Sequence, residues 1–219
     1  RRASKVIVVT ESFKKEIARK GIPDSKISVI KNGVDLDVFQ PGKRNHGLIR
    51  SLELEGKTVL GYVGTHGMAH KLDFLMECAK KLSNTDYHFV FIGSGAEKEN
   101  LLKKKEKEDI LNVTFLNSVP KKNIKNYLSI LDVSLINLKK DELFKTVIPS
   151  KIFENAAMGI PILLGVDGES RAILEKYNAG LFYEPENMED FIAKLKMITT
   201  PHKINTLRKG GLKLASDFD

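Results

Sequence analysis

Short apolar runs and longer amphipathic stretches alternate along most of the chain. Runs of strand length, rich in Val, Ile, Leu and Phe, cover residues 5–10, 27–30, 58–63, 88–92, 113–116, 133–136, 162–164 and 180–183. Apolar positions at helical spacing fit residues 11–19, 72–82, 96–107, 121–129, 150–158, 170–176, 188–198 and 201–215. Gly21 and Pro23 end the first of these helices. Between residues 32 and 56 the periodicity lapses, and Asn32-Gly33, Pro41-Gly42 and Asn45-His46-Gly47 carry turn chemistry, so this stretch reads as a linker. It separates a short leading piece, residues 1–31, from residues 57–219, where strands and helices alternate. That order predicts βαβ units, hence an α/β fold on a doubly wound, mainly parallel sheet. Such sheets bind ligands beyond the carboxyl ends of their strands, where the crossover direction switches.

Charge narrows the ligand. Lys+Arg 36 against Asp+Glu 28 gives a net charge of +8, which attracts nucleotides, nucleic acid or acidic headgroups. The most basic run, Lys103-Lys104-Lys105-Glu106-Lys107-Glu108, mixes both signs and lacks aromatics, so it reads as a solvated helix face and no nucleic-acid partner is expected. Cys78 is the only cysteine, which excludes an internal disulfide and fits a reducing compartment. No apolar run approaches the length of about 18 residues that spans a bilayer. Arg1-Arg2 opens the chain without an initiator Met or a signal peptide, so the sequence reads as a piece of a longer protein.

The strand-end loops carry the candidate chemistry. Residues 58–63 lead into Gly64-Thr65-His66-Gly67-Met68-Ala69-His70-Lys71, whose glycines let the main chain approach a diphosphate while Thr65, His66, His70 and Lys71 offer donors. The loop matches neither the Walker nor the GxGxxG pattern, and a tight turn with exposed histidines is the alternative. Gly93-Ser94-Gly95 closes the next strand, and Leu116-Asn117-Ser118-Val119-Pro120 offers main-chain groups able to read the edge of a base. Both also fit ordinary turns. Pro149-Ser150-Lys151-Ile152-Phe153-Glu154 opens a helix and puts a cation and a carboxylate near the end where backbone N–H groups attract anions. A carboxylate there can accept both hydroxyls of a ribose. Ser150 and Glu154 equally suit helix-terminal residues with no ligand. A single Cys and histidines without shared ligand spacing give no zinc constellation, and no metal is expected. No serine nucleophile elbow is present.

Taken in order, these motifs resemble the nucleotide-sugar-binding half of the retaining family-four (group 1) GT-B glycosyltransferases. Asn32-Gly33-Val34-Asp35 with Phe39 and Pro41 is similar to their interdomain hinge, and Tyr62-Val63-Gly64 to their phosphate loop. Phe91-Ile92-Gly93-Ser94-Gly95 is similar to the second strand end, and Ser150-Lys151-Ile152-Phe153-Glu154 with Ala156, Met158, Gly159 and Pro161 to the donor-binding helix. The stretch from Gly64 to His70 most resembles bacterial enzymes that build surface polysaccharides. Two features depart from the pattern. Thr65 and His70 stand where members usually carry Arg and Lys, and Thr146 stands where the paired-glutamate motif ending at Glu154 has its first Glu.

The resemblance implies a GT-B C-terminal, Rossmann-like donor domain over residues 57–219, a hinge over 32–56, and a remnant of the N-terminal acceptor domain over 1–31. It implies transfer of a hexosyl or aminosugar unit, with retention, from a nucleoside-diphosphate sugar, UDP foremost, to a glycan or polyprenyl-linked acceptor. The setting it implies is cytoplasmic, with peripheral association at the inner face of the plasma membrane. No cofactor beyond the donor substrate is implied. Glu154 would hold ribose hydroxyls, the main chain around Val119 the base, and Gly64, Thr65, His66 and Gly67 the diphosphate, with Gly93, Ser94, Gly95 and Ser118 among the nucleotide-sugar contacts. Thr146 and Ser150 would complete the donor contacts, and His70, Lys71 and Lys151 would stabilise the leaving diphosphate. The piece is expected to be inactive without its N-terminal domain. Two other classes stay open: a nucleotide-sugar epimerase of the same architecture and a non-catalytic, basic anion-binding module.

Overall fold

A computed structural model describes residues 3–219. Two parallel sheets form. The smaller pairs β1 (Val6–Val8) with β2 (Ile27–Val29) across α1 (Glu11–Arg19). The larger contains β3 (Thr58–Val63), β4 (Tyr87–Ile92), β5 (Val113–Leu116), β6 (Val133–Asn137), β7 (Ile162–Gly165) and β8 (Gly180–Phe182), in the order β5-β4-β3-β6-β7-β8. Every neighbouring pair is parallel. The chain steps outward from β3 to β5, then returns to β6 on the opposite side of β3. The direction therefore switches between β3 and β6, where the loops at the carboxyl ends diverge.

Helices cover both faces: α3 (Leu72–Lys81), α4 (Lys98–Lys107), α5 (Ile124–Leu128), α6 (Lys151–Ala157), α7 (Glu169–Tyr177), α8 (Met188–Ile198) and α9 (Pro201–Ser216). Successive strand residues point to opposite faces, so each strand feeds two cores. Leu60, Tyr62, Phe89, Phe91 and Leu163 pack with Leu75, Phe191 and Leu195 on one side. Val59, Val90, Ile92, Ile162 and Leu164 pack with Leu128, Ile152, Phe153 and Leu214 on the other. Burial on both faces is why the strands read as continuous apolar runs rather than as alternating ones.

The stretch from residue 32 to 56 is more ordered than a linker. Asn45 caps a short helix, α2 (His46–Ser51), its side-chain oxygen accepting from the Leu48 amide at 3.0 Å. Asn-His-Gly has two readings, turn or helix start, and here the cap wins because Ile49 and Leu54 follow it into the core. Phe39 is buried as well. Arg44 reaches Asp132 through two hydrogen bonds, of 2.5 and 3.0 Å, and Asp132 also accepts from the Val59 amide at 2.7 Å. The segment thus rides on the large sheet. Residues 121–129, expected as one helix, begin instead as a 3₁₀ turn at Lys121–Asn123 that only then becomes α5.

Asp132→Ala strips the guanidinium and the β3 amide of their shared acceptor. It should lower unfolding stability by about 1–3 kcal/mol, measured by urea denaturation.

Candidate functional site

Three strand-end loops meet because two of them touch backbone to backbone. The Gly64 amide bonds to the Ile92 carbonyl at 2.9 Å and the Gly93 amide to the Leu116 carbonyl at 3.2 Å, extending the β3-β4-β5 ladder. Gly64 (φ +144°) and Gly93 (φ +149°) then turn through conformations that L side chains rarely adopt, and a Cβ on Gly93 would strike the Gly64 carbonyl. Beyond them the His66 amide bonds to the Ser94 carbonyl at 2.8 Å, and the Ser94 and Ser118 hydroxyls pair at 2.8 Å. The result is a groove of about 230 Å³ lined by Gly64, Thr65, Gly93, Ser94, Ser118 and Val119, with Val63, Ile92 and Ile124 as apolar wall.

The start of α6 faces the same turn. Lys151 Nζ lies 4.2 Å from the centre of the Tyr62 ring and would be 2.7 Å from a Cβ on Gly64. The Lys151 residue is half-buried as a whole, and its ammonium lies over the Gly64 bend. Burial lowers its pKa to about 8, with the carboxylate of Glu154 opposing that shift. Glu154, one turn further along, is half-buried too. Burial holds its pKa above the ordinary carboxylate value, while the fields of Lys121 and then Lys151 pull the other way.

Other expected residues sit elsewhere. His66 is fully buried among Tyr62, Phe91 and Phe115, and neither ring nitrogen has a hydrogen-bond partner. Its imidazole does not open onto the groove as a donor, which corrects the expectation from sequence. Its main chain matters instead, since its carbonyl also accepts from the Glu97 amide at 2.9 Å. Burial, aided by Lys98, lowers the His66 pKa to about 4, so the ring is neutral at pH 7. Lys71 turns away to pair with Asp73 at 2.8 Å. His70 is half-buried against the edge of Tyr62, its Nδ1 without a partner, and burial lowers its pKa. Thr146 turns its hydroxyl back to the Leu143 carbonyl at 2.9 Å. Ser150 and Gly95 are exposed; Gly67 is half-buried and precedes the 3₁₀ turn at Met68–His70.

Sequence reasoning missed two supports. Lys98 donates to the Gly93 and Leu116 carbonyls and to Asn117 Oδ1, each at 2.9 Å, and so ties the β4 and β5 loops together. Asn137, buried at the end of β6, donates to the His70 carbonyl at 2.9 Å and the Lys71 carbonyl at 3.1 Å and accepts from the Tyr183 hydroxyl at 2.6 Å. A polar amide at the end of β6 was the available signal for Asn137. Lys98 lies in a charged stretch that gives none.

The pattern of the family described as "Glycosyl transferases group 1" matches residues 48–206. The chain belongs to this family. The pattern described as "Glycosyltransferase Family 4" matches residues 1–38. The group 1 chain is 26% identical over 200 residues to TuaH of Bacillus subtilis (strain 168), which is named for a role as a teichuronic acid biosynthesis glycosyltransferase. That alignment takes in 90% of this chain and 49% of TuaH, so the chain spans about half the length of its curated relative. In fold it is similar to Anabaena Alr3699/HepE solved with UDP-glucose, with a TM-score of 0.85 at 18% identity over 99% of this chain and 60% of that one. It is also similar to a glycosyltransferase from Rickettsia africae ESF-5, with a TM-score of 0.82 at 16% identity over 98% of this chain and 59% of the other. These likenesses establish the group 1 fold, a six-stranded parallel α/β sheet with flanking helices.

Two outcomes follow from the geometry. Gly93→Ala should cost roughly 1–3 kcal/mol in unfolding free energy, because the new Cβ must push the Gly64 loop aside. Lys151 tests the electrostatics. Unfolded, it stays protonated toward its ordinary 10.5, whereas folded it loses the proton near 8. Stability should therefore rise with pH between those values, while below pH 8 the desolvated cation costs free energy. Lys151→Met should stabilise the protein at pH 7 by on the order of 1 kcal/mol and flatten that rise, as followed by denaturation across pH.

Proposed function

We propose that the chain is the donor-binding half of a retaining glycosyltransferase that takes a sugar from a UDP-linked donor. The observation carrying this reading is the Lys151 ammonium set over the Gly64 bend, with Glu154 one turn along the same helix. The groove between the Gly64, Gly93 and Ser118 loops adjoins that bend and takes the nucleotide. The base lies against Val63, Ile92 and Ile124, with the main chain near Val119 on its edge, and Glu154 accepts from the ribose hydroxyls. The diphosphate sits above Gly64, where unhindered backbone and Lys151 face it.

Charge accumulates on the diphosphate as the glycosidic bond breaks, so a cation fixed beside it favours the transition state over the ground state. Lys151 fills that role. Neither histidine of the loop competes, because burial keeps both largely uncharged at pH 7, and Lys71 is engaged with Asp73. His70 is left as a neutral hydrogen-bonding group near the leaving oxygens. The donor supplies all the chemistry the reaction needs, with no further cofactor.

The division of the chain proposed with this reading puts the end of an acceptor domain at residues 1–31, the join at 32–56 and the donor domain at 57–219. The acceptor is a glycan or polyprenyl-linked sugar in surface-polysaccharide synthesis, as the role in TuaH's name supports. Catalysis then needs the domain that binds the acceptor, and the work is done at the cytoplasmic face of the membrane.

Calorimetry with UDP-, GDP- and TDP-sugars tests the nucleotide assignment. UDP should bind best, and Lys151→Ala or Glu154→Gln should each weaken it about tenfold. Affinity should fall from pH 7 to pH 9 as free Lys151 loses its proton, and Lys151→Ala should abolish that slope. Equal, steeply salt-sensitive binding of all polyanions would defeat the proposal.

A further inference from the structure

The turn that leads into α6 is fixed by groups from two other parts of the fold. Thr10 stands at the carboxyl end of β1 and caps α1, and it is only 1% exposed. Its hydroxyl accepts from the Phe13 amide at 3.1 Å and donates to the Thr146 carbonyl at 2.9 Å. On the next residue, the buried Ser170 hydroxyl donates to the Val147 carbonyl at 2.5 Å. On the preceding one, Gly168 packs so closely that a Cβ there would collide with the Lys145 carbonyl. Three consecutive residues are thus pinned, and three further residues carry the chain to Lys151. A second link runs parallel to the first: the Ser12 amide, in the first turn of α1, donates to Glu169 Oε1 at 2.5 Å.

We propose that Thr10 is a positioning residue for Lys151 and Glu154, coupling the β1-α1-β2 unit to the nucleotide groove through the Thr146 carbonyl. A hydroxyl can donate and accept at once, so one atom closes the α1 cap and holds the turn. The Thr10 side chain itself is buried, so losing its hydroxyl leaves the Thr146 carbonyl without its partner on that side. Thr146 takes part in this link through its main chain, its hydroxyl being turned to the Leu143 carbonyl. The inference rests on the donor-binding reading for its effect on ligand, but the coupling itself is independent of any ligand.

The test compares the parent chain with Thr10→Val and Thr10→Ser by hydrogen–deuterium exchange, with and without UDP, and by UDP calorimetry. Thr10→Val keeps the shape of the side chain and loses both bonds; Thr10→Ser keeps both. Exchange in residues 143–151 should speed up in Thr10→Val, UDP should bind about fivefold more weakly, and Thr10→Ser should behave as the parent. Faster exchange confined to residues 11–19 would reduce Thr10 to a helix cap and overturn the proposal. So would unchanged UDP affinity in a chain whose turn has loosened, or a Thr10→Val chain that simply melts as a whole. Failure of the parent chain to bind UDP strikes the donor-binding reading instead, and the exchange comparison still decides the coupling.

Discussion

The site of this protein depends on one close approach of two backbones, the Gly64 carbonyl against Gly93, which a Cβ at 93 would block. The contact draws the β3 and β4 loops together, leaves amides and carbonyls near the groove, and makes room for a cation from α6. Lys151 then lies over the bend at little steric cost and a considerable electrostatic one. Its depressed pKa records how poorly the folded surroundings solvate it. On the proposed reading, a diphosphate placed there would supply the counter-charge the ammonium lacks.

Much of this was legible in the sequence, for identifiable reasons. β3, β5, α1 and α8 fall where apolar spacing and turn residues place them, since both ends of each are marked by polar or small residues. The pairing of Lys151 with Glu154 followed from helical phase behind Pro149. What failed was mostly local ambiguity. Asn45-His46-Gly47 spells a turn as readily as a cap, and the apolar set behind it, Leu48, Ile49 and Leu54, is too short to show a period. His66 reads as an exposed donor next to glycines, but the aromatic residues of β3, β4 and β5 enclose it, and only the folded sheet brings those together. Lys71 is adjacent to the loop in sequence, yet a nearer carboxylate claims it.

The small β1-β2 sheet and the large one meet with the carboxyl ends of their strands turned toward shared turns, as the Thr10 and Glu169 bonds show. The groove itself is lined by loops of the large sheet, and the small unit touches only the turn that leads into α6.

Asn137 carries a quieter consequence. Its amide, sealed between the His70 and Lys71 carbonyls and the Tyr183 hydroxyl, binds positions that are far apart in the chain into one unit. An apolar replacement at 137 would leave the buried Tyr183 hydroxyl and the His70 carbonyl without this partner, while the Lys71 carbonyl keeps the Phe74 amide, so the loop shape ties Asn137 to Tyr183.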